Sequence, residues 1–453
     1  MPTKKQRSRR RPAESSYSAE SRLIYGRNVS GRWDFERHVV PPLSSSTNFR
    51  FRSASEGAAA FADFAARACG QDCRKWRFVY DRLDDPNKDL LEEHLAIAEE
   101  ADISLVFSTG MAAISTLLTV LLGESAAPGR AERKRGSSEL LVHLPAYGCT
   151  SDLVRKHLNE RLRIPVRFVD LSVRGTLRAS VTSSTRVVYC ESPANPTCRL
   201  VDLADLASEL AILNRGRRTP VVLVVDNTFA SPFCQRPLTL GADFVCLSLT
   251  KSVGGFGTVM GGAVLANRRH LTTVGKLVQL RKDVGCSLSP YNAWHILVYG
   301  ISTLPLRMRR MQDNAGVVAK FLQEHSRVRS VSYPGLASFP QYALARRQMH
   351  DYKGKFAPGN MLYFEMEGRT SDQRRRTASR VVNHIARDAY TITLAVSLGQ
   401  IRSLVEYPGG MTHAVVDAKE QRKGKIDPGG IRMSVGIEEP DDLIRDLSAA
   451  LER

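Results

Sequence analysis

The chain has 453 residues, of which 43% are hydrophobic and 25% charged, an ordinary composition for a soluble protein and enough length for two or three domains around a large core. No apolar run approaches the roughly 20 residues that span a bilayer, and the first residues are too basic and polar for a secretory signal, so no membrane partner and a cytoplasmic location are expected. The eight cysteines are scattered without the paired spacing that holds zinc, so reduced thiols, mostly in the core, and no metal site are expected.

The formal net charge is +19, and Lys4, Lys5, Arg7, Arg9, Arg10 and Arg11 contribute +6 of it before the first acidic residue, Glu14. Residues 1–20 therefore read as a disordered, solubilising tail. Nucleic acid is not the expected partner, because no interleaved aromatics, recognition helix or zinc module accompanies the charge. Residues 21–85 read as an irregular arm with one helical pattern, Glu56 to Ala66, which has to pack on something else for want of its own core.

From residue 86 to about 269, within a larger domain expected over residues 86–300, apolar β runs alternate with helical periods. The expected strands are Leu140 to Leu144, Val187 to Cys190, Val221 to Val225, Phe244 to Leu247 and Val259 to Ala266. The expected helices are Leu90 to Ala101, Met111 to Leu122, Thr150 to Glu160 and Leu203 to Asn214. Such alternation indicates an α/β fold with a mainly parallel central sheet. Residues 301–453 read as a smaller C-terminal α/β unit: a long Arg-rich helix, strands Met361 to Glu365, Thr391 to Ser397 and Ile431 to Val435, and a terminal helix from Asp441. No internal repeat is found.

Chemistry collects at the ends of these strands. The run beginning at Ala242 stops in Ser248, Thr250 and Lys251, which puts an amine and two hydroxyls at the carboxyl end of a buried strand, where open α/β sheets hold ligands. A desolvated amine beside hydroxyls and small glycines suits a Schiff-base lysine next to a phosphate. Asp226 ends the all-apolar run Val221 to Val225, and a carboxylate there needs a cation or several donors, such as a protonated pyridine nitrogen. The turn Ser108-Thr-Gly-Met precedes a helix whose first amides, those of Gly110 and Met111, can cradle a phosphate. Taken singly, the same features read as a surface lysine in a glycine-rich loop, a turn-capping aspartate and a plain helix start.

In chain order Tyr80-Asp-Arg82, Ser108-Thr-Gly-Met-Ala-Ala, Tyr147-Gly-Cys-Thr, Glu191-Ser-Pro-Ala-Asn-Pro-Thr, Asp226-Asn-Thr-Phe-Ala, Ser248-Leu-Thr-Lys251, Ser397-Leu-Gly, Met411-Thr-His and Arg432-Met-Ser-Val-Gly-Ile-Glu strongly resemble the Cys/Met metabolism pyridoxal-phosphate enzymes, the cystathionine γ-synthase/γ-lyase family. The resemblance runs from about Val39 to the C-terminus. Within the family it is nearest the methionine γ-lyase branch, through Tyr333-Pro-Gly-Leu-Ala-Ser-Phe-Pro-Gln-Tyr, Cys149 after Tyr147-Gly, and Lys282-Asp283 ahead of Leu288-Ser-Pro. It implies the aspartate-aminotransferase-like fold type I of pyridoxal-phosphate enzymes and pyridoxal 5'-phosphate as cofactor. Lys251 is implied to carry the Schiff base and move protons. Asp226 is implied to hold the ring nitrogen, Tyr147 to stack on the ring, and Asn195 to bond its phenolic oxygen. Gly110, Met111, Ser248 and Thr250 are implied to bind the phosphate. Tyr80 and Arg82 are implied to reach it from a neighbouring subunit of a homodimer or homotetramer. Arg432 and Ser397 are implied to hold the substrate carboxylate, and Cys149 to lie near the leaving group.

The implied activity is γ-elimination on a sulfur amino acid, giving a thiol, a 2-oxo acid and ammonia, with γ-replacement or cystathionine γ-lysis as alternatives. Three positions depart from the pattern. Ser252 stands where relatives usually carry an aromatic residue, and Phe256 where they usually carry histidine. Arg402 stands where many place an acid near the mouth of the site; an arginine there either repels a distal ammonium and favours an anionic γ group, or turns to solvent.

Overall fold

The computed structural model describes residues 17–26, 38–71, 77–123, 138–411 and 424–453. The basic tail through residue 16, Cys73, and Thr412 and His413 of the motif at Met411 lie outside these residues. Seven strands form the larger sheet: β1 (Ile103–Phe107), β2 (Glu139–His143), β3 (Val166–Val169), β4 (Thr185–Glu191), β5 (Val222–Asp226), β6 (Phe244–Ser248) and β7 (Gly262–Ala266). Their spatial order is β1-β7-β6-β5-β4-β2-β3. β3, β2, β4, β5 and β6 pair in parallel, and β7 runs antiparallel to both β6 and β1.

Helices cover both faces, which is why the strands read as continuous apolar runs rather than alternating ones. In β5, Val224 packs with Ile114, Leu117 and Leu118 of the helix Gly110–Gly123. Its neighbour Val225 points the other way, into the cluster holding Leu91 and Leu95 of the helix Pro86–Glu99. The latter helix begins where the Asp85 side chain accepts the N–H groups of Asn87 and Lys88, with Pro86 in its first turn; such a cap stabilises by about 1 kcal/mol.

The smaller sheet contains β8 (Val328–Ser332), β9 (Met361–Met366), β10 (Ile392–Leu394), β11 (Ser403–Glu406) and β12 (Gly430–Ser434), in the order β10-β11-β12-β9-β8. It is antiparallel apart from the β10–β11 pair. Val318 and Leu322 of the helix Ser302–Glu324, Val381 and Ile385 of Ser371–Asp388, and Leu443 and Leu447 of Pro440–Leu451 pack on it.

Several elements differ from the sequence expectation. The residues around Ser21, read as tail and irregular arm, form the helix Ala19–Tyr25, capped by Ser18 and anchored by the buried Leu23. The expected helix Thr150 to Glu160 is α-helical only over Gly148–Asp152 and continues as a π-helix over Leu153–Arg161; the apolar period does not announce the wider pairing. β7 starts at Gly262 rather than Val259, because the Gly261 N–H bonds the Thr250 hydroxyl at 3.1 Å instead of joining the sheet. The expected strand through Ser397 keeps only Ile392–Leu394, and Ser397 itself has φ 91.

Candidate active site

Phe107, Glu191, Asp226 and Ser248 end β1, β4, β5 and β6, four strands pointing one way, so the turns after them open on a single edge of the larger sheet. The chain past Ser248 doubles back, with Gly254 N bonding Leu249 O at 2.7 Å and Gly255 N bonding Lys251 O at 2.8 Å. That turn brings the lysine amine into a cavity of about 260 Å³, which Ser397, Glu406 and Arg432 close from the smaller sheet.

Lys251 Nζ donates to Ser397 Oγ at 2.8 Å. Burial, and then the charge of Arg432, bring its amine down from 10.5 to about 8, while Glu406 and Cys149 oppose the change. In the same lining, burial raises the Asp226 carboxyl. The Thr228 N–H at 2.9 Å and the Tyr189 hydroxyl at 3.1 Å hold it in place, and among the described residues no cation forms an ion pair with it. Glu191, its register neighbour in β4, is pushed well up by burial and by Asp226; its carboxyl accepts the Tyr147 N–H at 2.7 Å and so fixes the start of the Tyr147 turn. Burial and the neighbouring Cys149 push the Tyr147 phenol up as well.

Arg432 is buried, donating from Nη1 to Asn195 Oδ1 at 3.2 Å and from Nη2 to the Ser397 carbonyl at 2.7 Å. Its Nη2 also forms an ion pair with Glu406. The Nε atom is buried and has no hydrogen-bond partner among the described residues.

The residues present fit a phosphorylated pyridine cofactor. Asp226 is a desolvated carboxylate that a ring N–H⁺ would neutralise. Thr109, Gly110, Met111, Ser248 and Thr250 line the cavity where the helix Gly110–Gly123 begins, and first-turn amides have no intrahelical acceptor. Only a glycine allows this approach, since a Cβ on Gly110 would lie 2.9 Å from Ser248 Cβ. Among the described residues no group of His, Cys, Asp and Glu could hold a metal.

Of the residues singled out from sequence, Lys251, Asp226, Asn195, Gly110, Met111, Ser248, Thr250, Tyr147, Ser397 and Arg432 line this one cavity. Cys149 is exposed and meets it through Tyr147, its Sγ standing 3.3 Å from the phenol oxygen. Tyr80 and Arg82 do not line it; they sit on the arm, where Arg82 Nη1 bonds the Lys282 carbonyl at 2.8 Å. Arg402 is exposed and also lies outside the lining. Sequence reasoning passed over Glu406 and Thr228. Glu406 carried the same signal as Asp226, an acid ending a short apolar run, but β11 had not been recognised as a strand.

A family model described as "Cys/Met metabolism PLP-dependent enzyme" matches residues 27–452. The L-methionine gamma-lyase of Pseudomonas putida is 36% identical over 414 residues, 91% of this chain and 92% of that protein. The cystathionine gamma-lyase of Mus musculus is 33% identical over 421 residues, covering 93% and 92%. Among solved structures, a cystathionine gamma synthase from Xanthomonas oryzae pv. oryzae superposes with a TM-score of 0.79 at 32% identity, covering 96% of this chain and 98% of that one.

Proposed function

We propose that this chain, which belongs to the Cys/Met metabolism PLP-dependent enzyme family, catalyses γ-elimination on a sulfur amino acid of the methionine type, consuming one water and releasing a thiol, a 2-oxo acid and ammonia. One observation carries the reading: a lysine amine brought to about 8 shares one cavity with a desolvated aspartate and a buried arginine.

Pyridoxal phosphate, when bound, supplies a sink for the charge left at the substrate Cα. Asp226 would hold its ring nitrogen, Tyr147 would stack on the ring, Asn195 would bond the phenolic oxygen, and Gly110, Met111, Ser248 and Thr250 would hold the phosphate. Burial lowers the proton affinity of the Lys251 amine, which suits Lys251 Nζ to take the Cα proton, with Ser397 Oγ keeping it within reach. Arg432 would hold the α-carboxylate, for which a guanidinium fork is suited. As a second proton leaves Cβ and the C–S bond breaks, the sulfur needs a proton. Tyr147, kept protonated by burial, can give it, and Cys149 beside the phenol bears on that transfer. Tyr80 and Arg82, away from the cavity of their own chain, would complete the phosphate site of a second copy in a homodimer or homotetramer. A cytoplasmic location remains part of this reading.

The likeness to cystathionine gamma synthase structures favours γ-replacement as the second reading. Purified holoenzyme should be assayed with methionine, cystathionine and O-acyl- or O-phosphohomoserine, with and without an added thiol. Release of 2-oxo acid from methionine without a thiol is the expected result. Turnover confined to a homoserine ester plus thiol would replace this reading with the second.

A further inference from the structure

Resting on the proposed role of Arg432 as anchor for the substrate carboxylate, we propose that Glu406 is a positioning residue that tunes carboxylate affinity. It is a carboxylate built into the protein that pairs with Arg432, and an amino-acid substrate must compete with it.

The antiparallel register of β11 and β12 sets Glu406 directly opposite Arg432, so the two side chains share a face of the sheet. Both line the cavity, and their exposures of 0% and 3% leave water almost no part in solvating either charge. Arg432's other partners, the Asn195 amide oxygen and the Ser397 carbonyl, are neutral. Among the described residues Glu406 is the one carboxylate paired with Arg432. Burial lowers the guanidinium's proton affinity and Glu406 is the first of the groups opposing that change.

A buried charge that loses its partner is strongly destabilised. Before substrate binds, Glu406 prevents that loss, and for the same reason it subtracts from what an incoming carboxylate gains. With a neutral residue at position 406, compensation of Arg432 falls to the ligand. The unliganded protein should then be less stable, and carboxylate binding should be tighter. A merely structural Glu406 predicts the opposite sign for binding, because a loosened Arg432 would hold its ligand less well.

The test uses holoenzyme and two small amines, glycine and methylamine, titrated by calorimetry. Both present an amine to the site, and only glycine presents a carboxylate. Glu406→Gln should bind glycine about tenfold tighter than the parent, the size of one charge-assisted hydrogen bond relieved of competition. Methylamine affinity should stay within about twofold. The unliganded variant should melt below the parent, and saturating glycine should narrow the difference. Equal or weaker glycine binding in a folded Glu406→Gln protein that retains cofactor overturns the proposal; if that variant does not fold, Glu406→Ser is read in the same way. A parent enzyme that binds glycine no better than methylamine overturns instead the anchor role of Arg432, and the proposal for Glu406 falls with it.

Discussion

In the cofactor-free chain Lys251 is a cost to the fold. Its amine drops from 10.5 to about 8, first through burial and then through the charge of Arg432. Between those two values the folded chain binds fewer protons at this site than the unfolded chain does, so stability from this group rises with pH across that window. Below about 8 the full penalty stands, and above 10.5 it has gone. A fall of roughly 2.5 in pKa corresponds to about 3.4 kcal/mol at about 1.36 kcal/mol per unit. Residual solvent contact and the Ser397 hydrogen bond reduce the usable figure to about 1–2 kcal/mol. Lys251→Met keeps most of the apolar stem and removes the charge. Urea unfolding of the cofactor-free protein at about pH 7 and one fixed chain concentration should find the variant more stable by about 1–2 kcal/mol. That gain should shrink as the pH is raised from about 8 towards 10.5. A variant equal to or weaker than the parent near neutrality, or a gain that grows with pH, refutes the reasoning.

Asp226→Asn keeps the shape of the side chain and removes its charge; an opposite charge at close range shifts a pKa by about 1–3 units, so turnover should fall by about 10- to 1000-fold while cofactor still binds. Turnover within about twofold of the parent, in protein shown by its visible absorbance to be loaded, would remove the ring-nitrogen role. Mixing Arg82→Ala with Lys251→Ala subunits should restore part of the activity, because one hybrid site per dimer would be intact; no recovery after proven subunit exchange would mean that each site is built within one chain. Arg402→Glu should leave the ranking of methionine, cystathionine and anionic homoserine esters unchanged, since the side chain is exposed and outside the cavity lining. A reranking in steady-state assays would instead place it at the mouth of the site in the assembled enzyme.

The larger sheet was legible because its strands are buried on both faces and end in chemistry. Val222–Asp226 and Phe244–Ser248 are apolar until their last residue, so the position of Asp226 and the approach to Lys251 followed from the pattern alone. β1, β3, β8 and β11 were missed. β3 and β11 have only four residues each, and β3 mixes Arg167 into a partly exposed edge, so neither presents a run long enough to separate from a loop. Missing β11 concealed Glu406, whose meeting with Arg432 depends on register between strands more than 20 residues apart in the chain. Ser397 was anticipated by resemblance, but its positive φ was not, because a serine gives no local sign of a conformation imposed by the surrounding packing.

The 2.8 Å contact between Lys251 and Ser397 joins the two sheets, so it is only as firm as the crossing of the loops that carry it. Those loops are laid backbone on backbone. Ile401 N bonds Gly255 O at 2.9 Å, and a Cβ on Gly399, at φ 72, would lie 2.5 Å from Ser252 N. From the other side Arg307 donates to the Ser252 carbonyl at 2.8 Å and the Val253 carbonyl at 3.2 Å, and its guanidinium lies 5.4 Å from the centre of the Phe256 ring. The lysine loop is therefore gripped through its main chain by one arginine below and a glycine crossing above. This explains how Ser252 and Phe256 can depart from the family's usual residues while Lys251 still reaches Ser397. What fixes the main chain of the lysine loop is carbonyls and amides, and Phe256 adds its ring to the cation that holds them.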